Sequence, residues 1–258
     1  MSAKVPGTAA LDRFAHVDAW VFDLDNTLYP RHTDLFRQVD VRIREFVQRA
    51  LSLPPDEAQR LQKDYYQRYG TTLRGLIVEH GIAAGDFLQY VHDIDHSAVQ
   101  PDPALSDAIE NLPGKKFILT NGSRAHAEKV AARLGITHHF SDIFDIVRLD
   151  LLPKPAEVSY RRFIEETGVR PERAAMFEDL SRNLTVPKAL GMATVLVVPS
   201  AAAEVLTEAW EQEGREGEHI DFVTDDLGTF LGDVLSANGR RAGASHAPPS
   251  PPSAVPLP

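Results

Sequence analysis

The chain contains no cysteine. Disulfides, thiolate nucleophiles and cysteine-held zinc or iron–sulfur groups are therefore excluded. Long apolar runs are missing too: nothing approaches the 18 or more residues that read as a membrane span. The N-terminus shows no basic stretch followed by an apolar core, so the reading expects a cytoplasmic protein without a membrane partner. Positive charge is scarce. Lys and Arg number 27 against 37 Asp and Glu, a formal net charge of −10, which argues against a nucleic-acid polymer as partner. A small anionic substrate stays open, because local cations decide that. What is present is an ordinary globular composition, 43% hydrophobic and 25% charged over 258 residues. That length suits one large domain or a core with a smaller companion.

Apolar runs of strand length recur at 19–25, 116–121, 143–147, 174–178 and 193–198, with a weaker one near 221–224. Helix-like stretches at 123–134, 156–167, 183–190 and 201–212 alternate with them. This rhythm predicts an α/β fold, a doubly wound parallel sheet with right-handed crossovers. Gly135, Gly168 and Gly191 each sit where a helix should end. The rhythm fails between 31 and 100, where only helical periodicity is found. Leu35, Val39, Ile43, Phe46 and Val47 form one amphipathic face, and Pro54-Pro55-Asp56 stops that helix and starts another. Further helical segments are expected at 73–80 and 86–91. The expected organisation is a discontinuous core, 1–30 and 101–236, a helical cap inserted at 31–100, and a disordered tail at 237–258, rich in Ala, Ser, Gly and Pro. Pro101-Asp102-Pro103 reads as the return hinge.

Four strand ends carry polar residues. The first run, from Trp20 to Tyr29, places Asp23 and Asp25 two apart, hence on one face of a strand. Two anions so close need a proton or a cation between them, although an Asp-x-Asp is also a common loop motif. The second end, Thr120-Asn121-Gly122-Ser123 before a helix, could cradle a phosphate or simply supply a Ser N-cap. In the third, Lys154 lies between two prolines that fix its backbone; the plainer reading is a solvated lysine. The fourth puts Glu178 and Asp179 at a strand end with Asn183 four residues beyond. Magnesium takes oxygen ligands, but acids also favour a helix start.

Taken in order, Asp-x-Asp-x-Thr, Thr-Asn-Gly, Lys-Pro and Glu-Asp-x-x-x-Asn resemble the motifs of the haloacid dehalogenase-like hydrolase superfamily, over about 20–233. The cap sequence around Tyr65, Tyr66 and Tyr69 through Arg74, that around Tyr90 and His92, and the Phe22–Pro30 stretch look like its pyrimidine 5′-nucleotidase branch. Relatives often carry two Asp where this chain has Glu178-Asp179. The resemblance implies a Rossmann-like core with a helical cap, and a Mg²⁺-dependent phosphatase of nucleotide metabolism. Its substrate would be a small phosphorylated metabolite, a nucleoside monophosphate such as UMP or CMP. Asp23 would be the nucleophile that forms an aspartyl-phosphate, and Asp25 the acid and base. Thr120, Asn121 and Lys154 would hold the phosphoryl group. The metal would take Asp23, the backbone carbonyl of Asp25 and Asp179, with Glu178 and Asn183 close by.

Asp25 separates neighbouring activities under that resemblance: dehalogenase relatives lack an acid there, and P-type ATPases carry threonine. A phosphomutase shares the acid but not the cap pattern. Two other readings stay open, a phosphatase for a sugar phosphate and a non-catalytic binding protein on the same fold. Tyr66, Arg74 and His92 are the candidates for substrate contact. Core packing for the tyrosine, a surface ion pair for the arginine and a packed or solvated histidine are the plainer alternatives.

Overall fold

The structure, a computed structural model, describes residues 10–200 and 214–244. The helix expected at 201–212 and the end of the tail lie outside them.

Six parallel strands form one sheet: β1 (Ala19–Phe22), β2 (Lys115–Leu119), β3 (Asp142–Phe144), β4 (Ala174–Glu178), β5 (Ala193–Val197) and β6 (Phe222–Thr224). Their order is β3-β2-β1-β4-β5-β6. Alternate residues of each strand feed opposite faces. Trp20, Phe22, Ala175, Phe177 and Val195 join one apolar cluster; Ala19, Val21, Ala174, Met176 and Leu196 join another. A parallel sheet covered on both sides favours such near-continuous apolar runs. The first face is covered by α5 (Pro103–Asn111), α6 (Arg124–Leu134) and α9 (Leu227–Ala244), the second by α7 (Glu157–Thr167) and α8 (Thr185–Leu190).

Strand order decides where a site can form. The chain leaves β1 for β2 and β3 on one side, then returns to β4 on the other. The crevice at the carboxyl ends of β1 and β4 is thus the topological switch point, where open α/β sheets place their ligands.

Between β1 and α5 lie the four helices α1 (Leu35–Leu51), α2 (Pro55–Tyr69), α3 (Thr72–His80) and α4 (Ala84–Val91). They share an apolar cluster of their own, built on Val39, Val47, Ala58, Tyr65, Leu76, Phe87 and Val91. Ile146, from the loop after β3, and Leu151 also pack into it. The α2–α3 turn rests on the core: a Cβ at Gly70 would lie 3.1 Å from Pro153 Cγ and 3.5 Å from the Lys154 carbonyl oxygen.

Pro101-Asp102-Pro103, expected as the return connection, starts α5: Asp102 Oδ1 accepts the Leu105 N–H at 3.0 Å, and Pro103 takes the first helical position, where its missing N–H costs nothing. The tail and one strand end differ from expectation. The tail expected to be disordered from 237 is helical to Ala244. Leu227, Phe230, Leu231, Val234 and Ala237 form one buried stripe, which anchors α9 and lets it run on past the last large apolar side chain. The predicted strand at 143–147 ends at Phe144, where the Asp145 carboxylate turns to accept two backbone N–H groups, that of Arg124 at the start of α6 and that of Arg148 in the following turn. Gly135, Gly168 and Gly191 close α6, α7 and α8 at positive φ, as the sequence suggests.

Candidate active site

Three of the four polar segments begin at a strand end, so the parallel sheet delivers them to one edge; the other, with Lys154, lies in the connection between β3 and α7 and is tied to the same edge. Lys154 links them. It is 1% exposed, and its Nζ donates to Asp23 Oδ1 at 2.6 Å, Glu178 Oε1 at 2.7 Å and the Leu119 carbonyl at 2.8 Å. An ammonium has three protons, and all three are committed. Burial opposes its charge, but Asp23 and Glu178 overcome that and push its pKa upward, so it is a fixed cation. The prolines are not alone in aiming it. Asn121 clamps its backbone, with Oδ1 accepting the Lys154 N–H at 2.8 Å and Nδ2 donating to the Lys154 carbonyl at 3.3 Å.

Asp23, Glu178 and Asp179, all buried, offer oxygen atoms within 4.8 Å of one another. Such crowding is unfavourable for three ionised carboxylates. Burial, opposed by Lys154 and reinforced by Glu178 and Asp25, lifts Asp23 to about 7. Burial, then Glu178 and Asp23, raise Asp179 well above the carboxylate range despite Arg31. A divalent cation would remove that repulsion, and an all-oxygen donor set suits a hard one. Hydrogen bonds tell the three acids apart. Glu178 has both oxygens engaged, Oε1 by Lys154 and Asn183 and Oε2 by the Leu180 N–H. Asp23 accepts from Lys154 on Oδ1, and Asp179 accepts from Arg31 and Asn26 on Oδ2. Among the described residues, Asp23 Oδ2 and Asp179 Oδ1 accept no side-chain hydrogen bond. These two acids fit a cation, while Glu178 fits the part of an anchor for Lys154. Asn183 Oδ1, buried and without a partner, adds an acceptor beside them.

Asp25 is set apart. Its Oδ1 takes the Tyr29 hydroxyl at 2.6 Å and meets His126 Nε2 at 2.9 Å, and its carboxylate is not among the clustered acids. Burial raises its pKa, but His126 and the Tyr29 hydrogen bond outweigh that and lower it. Burial and the Asp25 charge push Tyr29 well above its ordinary range, which keeps it a donor. Thr120 is buried, and its Oγ1 accepts the Gly122 N–H at 2.9 Å, leaving the hydroxyl proton for another acceptor.

The three candidates from the insert fare differently. The Tyr66 ring lies under the Arg182 guanidinium, 4.3 Å from its centroid, so it reaches the turn that follows Asp179. His92 is buried against the second motif, with Nδ1 3.0 Å from Ser123 Oγ and 3.0 Å from the Leu88 carbonyl. Burial and the neighbouring His126 lower it to about 3, so it is neutral. Arg74 lies half-buried in the first turn of α3, where its backbone N–H bonds Thr71 Oγ1; among the described residues no side-chain hydrogen bond or ion pair ties it to the crevice. Sequence reasoning missed Tyr29, His126, Asn121 as a clamp, and the Arg31 ion pair to Asp179 at 2.9 Å. His126 left one signal: it follows Ser123 by three, in the first turn of a helix that opens at a strand end.

A doubly wound sheet with an acid-and-lysine crevice at its switch point defines the class. Residues 17–191 match the sequence model of the haloacid dehalogenase-like hydrolase family, and the chain belongs to that family. Phosphate metabolism protein 8 of Saccharomyces cerevisiae is 30% identical over 197 residues, covering 68% of this chain. The chain spans about 60% of that relative's length. Among solved structures, the L-2-haloacid dehalogenase of Xanthobacter autotrophicus superposes with a TM-score of 0.53 at 18% identity, over 85% of this chain and 99% of that one. A second dehalogenase gives 0.53 at 16% identity, over 84% and 96%. At such identities these likenesses establish the fold. Among the described residues, no helix is long and apolar enough to cross a membrane.

Proposed function

We propose that the chain is a Mg²⁺-dependent phosphomonoester hydrolase that acts through an aspartyl-phosphate, with pyrimidine nucleoside monophosphates such as UMP and CMP as substrates. The observation that carries this reading is the placement of Asp23. One of its oxygens is held 2.6 Å from a buried ammonium, two further acids stand within a cation's reach, and a separate acid lies two residues on.

Asp25, which its partners keep ionised in the free site, takes up a proton from solvent as the phosphate dianion binds beside it. Asp23 Oδ2 attacks phosphorus, and the bond from phosphorus to the leaving oxygen breaks while the Asp25 carboxyl gives that oxygen its proton. Water then loses a proton to Asp25 and attacks phosphorus; the bond to Asp23 breaks and inorganic phosphate leaves. Splitting one displacement into two in this way is ordinary covalent catalysis. Thr120 and the Asn121 N–H bind phosphoryl oxygens. Lys154 balances charge through Asp23 and Glu178; to touch the phosphate it would have to give up the Leu119 carbonyl. Magnesium, held by Asp23, Asp179 and the Asp25 carbonyl, would supply charge neutralisation on the phosphoryl oxygens. The helices at 31–100 act as a cap over the crevice, which the Gly70–Pro153 contact and the Tyr66–Arg182 stack support. The cytoplasm is the compartment this reading assigns, and fractionation would check it.

The test is a substrate panel with Mg²⁺: nucleoside monophosphates, purine and pyrimidine, beside sugar phosphates. UMP and CMP should lead, and a chelator should stop hydrolysis. Preference for a sugar phosphate would overturn the substrate, and no turnover of any phosphomonoester would overturn the enzyme. Asp25→Asn should lower kcat by about 10²–10⁴, the usual worth of a general acid or base, with KM little changed in steady-state assays.

A further inference from the structure

His126 stands beside the acid–base carboxylate in an unusual setting. Its side chain is fully buried, and its three neighbours fix it in three directions. Nε2 meets Asp25 Oδ1 at 2.9 Å, Nδ1 meets His96 Nε2 at 3.2 Å, and its ring stacks on His92 with centroids 4.5 Å apart and planes 15° from parallel. Both outer histidines are themselves tied to backbone carbonyls, His92 to Leu88 and His96 to Ile94. Both also belong to the end of the inserted segment, whereas His126 is in the first turn of α6.

A carboxylate's terminal torsion is broad and weakly defined by its own preferences, so Asp25 needs outside help to keep one orientation. Two groups, the Tyr29 hydroxyl and His126 Nε2, converge on the same oxygen. That fixes the plane of the group and reserves its other oxygen, Oδ2, which accepts no hydrogen bond among the described residues. Small losses of alignment in a proton-transfer group are expensive in rate.

We infer that His126 is a positioning residue for Asp25, and that His92 and His96 of the insert hold it in place, so that seating of the insert sets the orientation of the proton-transferring carboxylate. This rests on the proposed phosphatase reading. It extends that reading in one respect: proton delivery to the leaving oxygen depends on residues that touch neither substrate nor metal.

The distinguishing readout is leaving-group sensitivity. Phenyl phosphate and p-nitrophenyl phosphate share a ring, but phenoxide is much the poorer leaving group and needs the proton more. Release of the phenol in the first turnover is measured for both, with the full-length protein and Mg²⁺. His126→Ala should slow phenyl phosphate at least about tenfold more than p-nitrophenyl phosphate, inside the range of about 10²–10⁴ set by general acid catalysis. His126→Gln, whose amide can restore a hydrogen bond to Asp25 Oδ1, should recover most of the phenyl phosphate rate. His96→Ala, which leaves His126 in place, should skew the two rates in the same direction by a smaller factor. Equal losses on both substrates, or no recovery with Gln, would overturn the inference while leaving the phosphatase reading standing. Failure of the unmodified protein to hydrolyse either ester would overturn the phosphatase reading and the inference with it.

Discussion

Asp23→Asn should abolish turnover and yet yield a protein that melts no lower than its parent in metal-free buffer at pH 8. Loss of a covalent nucleophile costs on the order of 10⁶ in kcat, because no other group stands where the phosphorus bond must form. The stability half of the result follows from the surroundings of the same side chain. Burial lifts Asp23 from 3.8 to about 7, against Lys154 and with help from Glu178 and Asp25. Folding therefore favours the protonated carboxyl, and that contribution is lost as pH rises between about 4 and about 7. At pH 8 the ionised group carries the full penalty, and an amide carries none. Asn Oδ1 can still accept from Lys154. Assay of phosphate release, paired with a thermal melt at pH 5 and pH 8, checks both halves. A melting deficit at pH 8 would show that the Lys154 pair outweighs the crowding of the acids.

Lys154→Met should be the reverse: the most destabilising single change in the site, as well as an inactive one. Methionine nearly matches the lysine in volume, so the effect is one of charge. Removal of the ammonium strands Asp23 and Glu178, both buried, within reach of each other and of Asp179. Breaking a buried pair by deleting one partner costs about 3–5 kcal/mol. In a chain of this size each kcal/mol moves the midpoint by about 2–4 °C, so a fall of roughly 10 °C is expected near neutral pH. The deficit should shrink as pH falls and the stranded carboxyls take up protons. Addition of Mg²⁺ should restore part of the lost stability, since a cation held by the folded site stabilises it by mass action. A melt unchanged at pH 7 would contradict the geometry around Nζ.

Much of this arrangement was legible in the sequence, for a physical reason. A parallel sheet sends every strand's carboxyl end to one edge, so polar residues that follow apolar runs must meet there. Asp23, Thr120 and Asp179 were placed on that ground, and the order of the four motifs added Lys154, which lies well past β3. The partners of Asp25 were not. His126 lies 101 positions away, and nothing in a helical His announces which strand end it faces. Glu178 stands in the acid cluster with Asp23 and Asp179, but the donors that engage its two oxygens could not be read from the sequence. Asp102 between prolines carries the signals of a turn and of a helix start equally, and the apolar stripe beyond it, Leu105, Ala108 and Ile109, settles which. Residues 237–244 lack large apolar side chains, so no local signal reveals the helix they extend.

The central claim is that phosphorus passes through Asp23. The most direct measurement mixes the enzyme with a phosphate-labelled substrate and Mg²⁺, quenches in acid within the first turnover, and maps the label by peptide mass spectrometry after borohydride reduction. The label should lie on Asp23 and vanish in Asp23→Asn. A label on any other residue, or full turnover with no covalent phosphate at any time, would contradict the account.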